Sequence, residues 1–303
     1  MTPATAALTP LTAAGACCLG EGPVWDARLS RLYWVDIVNG RLHWLDVDSD
    51  PNEQRTCQLP APIGFVALTD DPQIVVVGLS ATLAFLDLGS SRVEVFARLE
   101  SSDAPLRCND GKCDPAGRLW VGTIFHGSGE NSPGSLYSVK RDGHVRRRLS
   151  GLGCSNGLAW NAPRNAFYFI DSLARRVDRH ECDLGHDRLG NAFILVSFSQ
   201  AAGLPDGMCI DAEGHLWVAF WDGGCVRRIH GKTGEILTIL DLPVSRVTSC
   251  TFGGADLGTL FITTAFEGLT AEPRAAEPLA GSVFTTRPGV RGTSTDRFCP
   301  ALR

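Results

Sequence analysis

Short hydrophobic segments alternate along the chain with clusters of Asp, Asn, Gly and Pro. These segments are rich in β-branched and aromatic residues, and convincing amphipathic helices are absent. The clearest examples are RLYWVDI, QIVVVGL, RLWVGT, AFYFIDS, HLWVAF and TLFITTA. The pattern predicts strands joined by tight turns, and therefore an all-β fold.

The strand pattern repeats about every 45 residues. The leading apolar residues of the six segments are Leu32, Ile74, Leu119, Phe167, Leu216 and Leu260. Their separations of 42, 45, 48, 49 and 44 residues are in the range of four-stranded propeller blades. Six such units account for nearly the whole chain. The sequence thus predicts a single six-bladed β-propeller domain over residues 1–303.

A polar position recurs before each aromatic segment. Glu21, Asn109, Asn156 and Asp206 each stand five residues before Asp26, Asp114, Asn161 and Asp211, and Gly64 and Ser249 match them in the other two units. Each position would open the innermost strand of its blade. Equivalent strand starts converge at one mouth of a propeller channel, so we expect two carboxylates and two carboxamides to face one another there.

Carboxylates that meet in a partly desolvated site repel each other, and a bound cation is the simplest compensation. Oxygen ligands favour Ca²⁺, Mg²⁺ or Mn²⁺, and Zn²⁺ and Fe²⁺ also accept carboxylate oxygen. We therefore predict one divalent metal ion of undetermined identity. The alternative is that these are ordinary turn residues, because Asp and Asn before Gly are common at corners.

The composition of the chain argues against nucleic acid and membranes as binding partners. The chain has 303 residues, of which 44% are hydrophobic and 20% charged, and its net charge is −5. No basic stripe is present to bind nucleic acid, no segment is apolar enough for a membrane span, and the first residues lack the features of a signal peptide. The eleven Cys contain no CxxC pair, so we expect reduced, mostly buried thiols. We predict a cytoplasmic monomer or small homo-oligomer.

Three further motifs receive structural interpretations. His180 and His186 lie in a polar segment and are predicted to be surface residues. The Gly-rich stretch 127–135 lacks the Lys of a phosphate-binding loop and is predicted to form a loop over the channel mouth. VRRR at 145–148 is predicted to be an exposed strand edge.

The motifs resemble those of the SMP-30/gluconolactonase family, the regucalcin-like sugar lactonases. The matching stretches are LGEGPVWD at 19–26, RCNDGKCDPAGRLWVGT at 107–123, CSNGLAW at 154–160, LPDGMCIDAEGHLWVA at 204–219, TSCTFGGADLGTLFITTA at 248–265 and LAGSVF at 279–284. They cover nearly the whole chain. The resemblance implies a six-bladed β-propeller with one catalytic divalent metal in the channel.

The resemblance also implies roles for single residues. The metal ligands of the family fall on Glu21, Asn156 and Asp206, and its substrate-contacting Arg and Asn fall on Arg107 and Asn109. This chain departs from the animal members in the loop after GT, where Gly127 replaces an acidic substrate contact. His126 stands beside it and is a candidate substrate-binding residue. The loop is more similar to those of bacterial aldonolactonases.

These observations predict a metal-dependent hydrolase of carboxylic ester bonds, with Asp206 as the catalytic base. The expected substrate is a small sugar lactone of the glucono-, galactono-, xylono- or arabinolactone type. One alternative is a calcium-dependent propeller of the phosphotriesterase or arylesterase type. The other is a non-catalytic metal-binding propeller that serves as a scaffold.

Overall fold

The strands form six four-stranded antiparallel sheets that are arranged in a ring. This computed structural model describes residues 7–11, 17–47, 54–60, 62–101, 104–127, 133–140 and 142–299. The first strands of neighbouring sheets contact one another around a closed circle. The fold is therefore a six-bladed β-propeller, which confirms the prediction from the sequence repeat.

The strand bounds follow the chain from β1 (Thr9–Pro10). Blade 1 contains β2 (Gly20–Asp26), β3 (Arg31–Asp36), β4 (Arg41–Asp46) and β5 (Arg55–Gln58). Blade 2 contains β6 (Ile63–Leu68), β7 (Ile74–Leu79), β8 (Thr82–Asp87) and β9 (Val93–Arg98). Blade 3 contains β10 (Leu106–Cys113), β11 (Leu119–Phe125), β12 (Gly134–Val139) and β13 (Val145–Leu152).

Blade 4 contains β14 (Ser155–Asn161), β15 (Ala166–Asp171), β16 (Arg176–Asp183) and β17 (Arg188–Ser197). Blade 5 contains β18 (Leu204–Ile210), β19 (Leu216–Trp221), β20 (Cys225–Ile229) and β21 (Ile236–Asp241). Blade 6 contains β22 (Val247–Gly253), β23 (Thr259–Thr264) and β24 (Phe284–Thr286), with helix α1 (Ala271–Ala276) between β23 and β24. The six aromatic segments of the sequence are the second strands of the blades, as expected.

The two ends of the described chain close the ring together. The outermost strand of blade 6 is β1, which pairs with β24 through Thr9 opposite Thr285 and Pro10 opposite Phe284. One blade therefore contains strands from both ends of the sequence. The repeat analysis did not predict this closure, because the two-residue strand carries no hydrophobic pattern of its own.

The hydrophobic core is divided among the spaces between blades. Six clusters of buried side chains are present in the described part of the chain, one between each pair of neighbouring blades. Between blades 3 and 4, for example, Trp120, Trp160 and Phe167 pack with ring centroids 5.0 to 5.8 Å apart. Each blade is thus held by both of its neighbours, and the ring is packed all the way around.

A repeated Asp fixes the turn between the first and second strands. The Asp114 carboxylate accepts hydrogen bonds from Arg118 Nε (2.6 Å) and Trp120 Nε1 (2.8 Å), and from two backbone N–H groups of its turn. In blade 5, Asp211 accepts from Trp217 Nε1 at 3.0 Å in the same way. These buried bonds explain why an Asp stands six residues before a Trp in both blades.

A C-terminal strap, residues 292–298, crosses the end of the channel where the first strands finish. Gly292 bridges to Asp211, Thr295 donates to the Trp25 carbonyl at 2.8 Å, and buried Phe298 bridges to Thr69. A cavity of about 80 Å³ lies between the strap and the inner strands. The channel is therefore obstructed at this end, and its open mouth is at the starts of the first strands.

Other predictions from the sequence have mixed outcomes. All eleven Cys are free and most are buried, as expected. VRRR lies on the outermost strand of blade 3, although Arg148 is drawn inward by an ion pair with Asp187. The prediction for His180 is wrong: its ring is buried and packs 5.7 Å from the ring of Phe167. Within the described ranges, the helices are too short to cross a membrane.

The Asp114 network predicts a large loss of stability when its carboxylate is removed. Asp114→Ala should lower the free energy of unfolding by about 3 kcal/mol, because a buried guanidinium and an indole N–H lose their acceptor. Urea denaturation measures the loss. The matched control is Asp142→Ala in an exposed turn, where the carboxylate accepts only the His144 N–H. Equal unfolding midpoints for the two variants would contradict this account.

Candidate metal centre

The inner strands bulge at the channel mouth. The pairing of first and second strands shifts register at the start of every blade, for instance between Cys108 and Gly111 and between Pro205 and Met208. Bulges of this kind re-aim side chains. In three blades a glycine comes directly after the polar residue. At Gly157 the neighbouring inner strand leaves no room for a side chain, because a Cβ there would lie 2.8 Å from the Asp206 carbonyl oxygen.

The bulges bring Glu21, Asp206 and Asp110 together at the mouth. In addition to the effect of burial, Asp110 raises the pKa of Glu21, and Glu21 and Asp110 both raise the pKa of Asp206, as expected for carboxyl groups that lie close together. Glu21 accepts the N–H of the following Gly22 at 2.9 Å, and Asp110 accepts that of Gly111 at 2.7 Å. Asp206 is 5% exposed, and its Oδ1 has no hydrogen-bond partner in the described structure. An ionised carboxylate oxygen buried in this way is expected to have a cationic partner.

Asp110 is the residue that the sequence analysis missed. The blade 3 bulge contains two residues, Asn109 and Asp110, opposite one residue of β11. In blade 5 the same two places hold Asp206 and Gly207. The alignment counted one position in each blade, so it found Asn109 and skipped its neighbour. The sequence did contain a signal for Asp110: it stands in NDG at the place where blade 5 has Gly207.

A chain of hydrogen bonds fixes the two carboxamides. Arg107 Nη1 donates to Asn109 Oδ1 at 2.7 Å, and Asn109 Nδ2 donates to Asn156 Oδ1 at 3.3 Å. Asn156 Nδ2 then donates to Ser172 Oγ at 2.9 Å. Because the amide nitrogen of Asn156 is engaged by Ser172, its oxygen faces the ring, where its second lone pair can bind a cation.

Burial and repulsion shift the acids towards their neutral forms. Burial, followed by repulsion from Asp110, raises the pKa of Glu21 to about 8. Burial, followed by repulsion from Glu21 and Asp110, raises the pKa of Asp206 well above its usual range. Burial also raises the pKa of Asp110, against the opposing attraction of Lys112. The site therefore disfavours three bare negative charges.

A lysine lies beneath the acids. None of the six repeat-equivalent positions of this chain is a Lys. Lys112, however, extends from blade 3 and donates to the Met208 carbonyl of blade 5 at 2.7 Å. It reaches past the strand of blade 4 that carries Asn156. Its charge thus lies on the inner side of the carboxylates, between them and the cavity under the C-terminal strap.

Arg107 also lines a cavity of about 530 Å³, together with Ser80, Thr82, His126 and residues of the outermost strand of blade 2. The proposed metal ligands do not line this cavity. His126 is exposed and is positioned by its backbone N–H, which donates to the Pro105 carbonyl at 2.7 Å. The predicted loop over the mouth is anchored here, although its residues 128–132 lie outside the described ranges. Four of the predicted site residues thus lie at one mouth with Arg107, and His126 lines the cavity beside Arg107.

A second cluster, Cys17, Asp36 and His43, brings three possible ligand atoms within 4.8 Å of one another in blade 1. All three residues are buried. The Asp36 oxygens, however, accept the N–H groups of Cys18 and Leu19 and the side-chain amide of Asn39. Asp171 accepts two successive N–H groups at the corresponding place in blade 4, which favours a structural role for Asp36.

The ring at the mouth fits a divalent cation. It presents carboxylate oxygens from Glu21 and Asp206 and a fixed amide oxygen from Asn156, a donor set that hard divalent ions accept. The unpartnered, buried Oδ1 of Asp206 is the observation in favour of an ion. Fold and site together define a six-bladed propeller with a candidate divalent-metal centre in its channel.

The chain belongs to the SMP-30/Gluconolactonase/LRE-like family, whose model matches residues 19–266. It is 37% identical over 280 residues to regucalcin of Gallus gallus, covering 90% of this chain and 92% of the relative. It is 35% identical over 269 residues to YvrE of Bacillus subtilis, provisionally named a sugar lactone lactonase, covering 89% of this chain and 91% of the relative.

Solved structures show the same architecture. A luciferin-regenerating enzyme superposes with a TM-score of 0.90 at 31% identity, covering 96% of this chain and 99% of that one. A calcium-binding protein, regucalcin, from Agrobacterium tumefaciens superposes with a TM-score of 0.90 at 28% identity, covering 97% of each chain. Both matches extend over all six blades.

The raised pKa values predict an unusual pH dependence for metal-free protein. Glu21 binds a proton more tightly in the folded than in the unfolded chain, so folding stability should fall as pH rises between about 5 and 8. Each acid of this kind contributes at most about 1.4 kcal/mol per pH unit. Urea midpoints in excess chelator measure the slope.

The control for this experiment is Glu21→Gln, which removes one titrating group and should flatten the curve. Saturating divalent ion should also stabilise the protein most at high pH, because ion binding requires the deprotonated acids. A metal-free stability that is constant or rises from pH 5 to 8 would contradict the assignment.

Proposed function

We propose that the protein is a metal-dependent sugar lactonase that hydrolyses an aldonolactone to the aldonic acid. The observation that carries this proposal is the unpartnered Oδ1 of Asp206, which is buried beside the carboxyl groups of Glu21 and Asp110. Family membership and the similarity to a relative named for lactone cleavage support the same reaction class. The cavity of about 530 Å³ that Arg107 and His126 line is large enough for a small substrate.

Glu21, Asn156 and Asp206 would hold the divalent ion. An ion held there would polarise the lactone carbonyl and increase the acidity of a water molecule. Three protein ligands leave positions open for both groups. Asn156 suits this role because its side-chain hydrogen bonds with Asn109 and Ser172 fix the direction of its oxygen.

Asp206 is the proposed general base. Its carboxylate would hold the ion through one oxygen and accept the proton of the attacking water through the carboxyl group as a whole. Since burial favours its neutral form, Asp206 would hold that proton readily once it is transferred. The proton then passes to the leaving ring oxygen, so that the ester bond opens to a carboxylic acid and a hydroxyl group.

Arg107 and Asn109 are the proposed substrate-binding pair. Arg107 uses Nη1 for Asn109 and for the Cys108 carbonyl, which leaves its other N–H groups for substrate oxygens. Its internal bonds pre-orient the guanidinium, so little freedom is lost on binding. His126 lines the same cavity and would contact a hydroxyl group at its edge.

The charges of the site suit an oxyanion. The three carboxylates around the ion, with Arg107 and Lys112, carry one net negative charge when all are ionised, and a divalent cation makes the sum for this inner set positive. A fixed positive environment stabilises the negative charge that develops on the carbonyl oxygen. The ion therefore converts a repulsive acid cluster into a site with the polarity that ester hydrolysis requires.

Acid release from sugar lactones tests the activity. Chelator-treated protein should be inactive on glucono-, galactono-, xylono- and arabinolactones, and adding back one of Ca²⁺, Zn²⁺, Mg²⁺, Mn²⁺ or Fe²⁺ should restore turnover, measured with a pH indicator. A preference for a phosphotriester or aryl ester would instead support the related esterase type. No turnover with any ion would support the scaffold alternative and refute the proposal.

Asp206→Asn tests the proposed base. The variant should keep its unfolding midpoint but lose at least about 100-fold in kcat at saturating metal, because an amide cannot accept the proton. Asp87→Asn, in an exposed turn of blade 2, is the matched control and should retain the wild-type rate. Metal binding by both variants is measured separately by calorimetry. A wild-type kcat for Asp206→Asn would exclude its role as base.

A further inference from the structure

Six connections between second and third strands surround the open mouth, and two of them are long. These two follow β11 (residues 126–133) and β23 (residues 265–283), in blades 3 and 6, on opposite sides of the ring. The blade 3 connection begins with His126, near Arg107. The blade 6 connection carries an acidic residue, Glu267, that the sequence analysis did not consider.

Glu267 is anchored next to the strand that carries Glu21. The N–H groups of Phe266 and Glu267 both donate to the Cys18 carbonyl, at 3.0 and 2.9 Å, and Ala265 bridges to Leu19. The first residues of this connection are therefore hydrogen-bonded to the chain segment that precedes β2 of blade 1. This contact places Glu267 beside the segment that leads into the metal-binding strand.

The Glu267 carboxylate is an unused acceptor at the mouth. It is half-buried and makes no hydrogen bond or ion pair with the residues that the structure describes. Its neighbours at equivalent strand ends are engaged: Asp171 accepts backbone N–H groups, and Asp222 pairs with Arg246 at 2.9 Å. A half-buried acid without a protein partner is available to a ligand.

We infer that Glu267 is a substrate-binding residue that accepts a hydrogen bond from a hydroxyl group of the lactone, opposite the donors of Arg107. This inference rests on the proposed lactonase function, which it refines. The ligand class that it selects is a polyhydroxylated lactone. An apolar lactone, which has no hydroxyl hydrogen, gains nothing from the contact.

An account of donors and acceptors supports this assignment. Each sugar hydroxyl has a hydrogen that needs an acceptor, whereas Arg107 supplies only donors. Asn109 Oδ1 accepts from Arg107 and Asn156 Oδ1 from Asn109, so each amide oxygen has a single lone pair left, and that of Asn156 is assigned to the ion. The oxygens of Glu21 and Asp206 are assigned to the ion and the proton. Asp110 accepts the Gly111 N–H and is attracted by Lys112, which leaves Glu267 as the carboxylate with no partner among the described residues.

The electrostatics agree with this placement. Burial lowers the pKa of Arg107. Negative groups nearby raise it again, and they include Cys154, Glu267 and Glu21. Glu267 thus lies close enough to the Arg107 guanidinium to interact with it electrostatically. An acceptor and a donor that lie near each other suit neighbouring hydroxyl groups of a sugar, since each hydroxyl both donates and accepts.

The connection is also held firmly enough to position a substrate. The Arg274 guanidinium lies 3.9 Å from the ring centroid of Phe266 and donates to the Ala280 carbonyl at 2.7 Å. Glu277 accepts the N–H and Oγ–H of Ser245 in blade 6 at 2.8 and 3.0 Å. These contacts restrict Glu267 before substrate arrives, which reduces the entropy lost on binding.

Glu267→Gln tests the inference in metal-replete protein, with the ion that gives the highest wild-type rate. KM for gluconolactone and galactonolactone should rise about tenfold, with kcat within twofold, because a charged hydrogen bond to bound substrate is weakened. KM for δ-valerolactone, which carries no hydroxyl group, should not change. The matched control is Glu235→Gln in an exposed turn of blade 5, far from the mouth.

The outcomes separate this inference from the proposed function. Unchanged KM values for the sugar lactones, or an equal rise for δ-valerolactone, would overturn the role of Glu267 while the lactonase activity stands. A wild-type protein that hydrolyses no lactone would overturn both. An unaltered unfolding midpoint of Glu267→Gln, with a KM effect limited to the hydroxylated substrates, would support a direct contact.

Discussion

Closure of the ring forces six inner strands against one axis, and the rest of the site depends on that crowding. A side chain at Gly157 would meet the backbone of Asp206, and one at Gly111 would lie 2.6 Å from the ring of Phe65. Strands this close cannot move apart to relieve repulsion between their side chains. The carboxylates at the bulges therefore remain together, and their charge must be balanced by protons, by cations, or by both.

The energy that maintains this arrangement comes from elsewhere in the blades. Six hydrophobic clusters lie between neighbouring sheets, and the buried Asp114 and Asp211 networks fix the turns at the opposite end of the first strands. Pairing of β1 with β24 completes the circle. Because the ring has no open seam, one destabilising cluster at the mouth can be tolerated without separating the blades.

The features that all six blades share could be predicted from the sequence. Features that occur in a single blade were missed. The spacing of the aromatic strands and of Asp26, Asp114 and Asp211 identified the fold, because each blade repeats the same turn and the same strand. Asp110 was missed because a bulge has two positions where the alignment counted one. Lys112 was missed because its long side chain reaches from blade 3 to the Met208 carbonyl of blade 5. Strand β1 was missed because it pairs with β24, which is far away in the sequence.

The residues missed at the mouth share a physical cause. Periodicity reports which face of a strand a residue occupies, but it carries no information on long connections or on side chains that cross the channel. Glu267 depends on how the blade 6 connection packs against Cys18, a contact between opposite ends of the described chain. His180 shows the converse: its segment is polar, yet β16 is covered by neighbouring strands, and the ring is buried.

Hydrolysis of a lactone would place opposing demands on this mouth. The substrate is neutral, whereas the product is an anion that a divalent cation and Arg107 attract. A mouth lined only with positive charge would retain the product and slow turnover. In the proposed site, Glu267 would add a negative charge near Arg107 that repels the new carboxylate while still accepting a hydrogen bond from a neutral sugar. One carboxylate at the rim can therefore favour both substrate recognition and product departure.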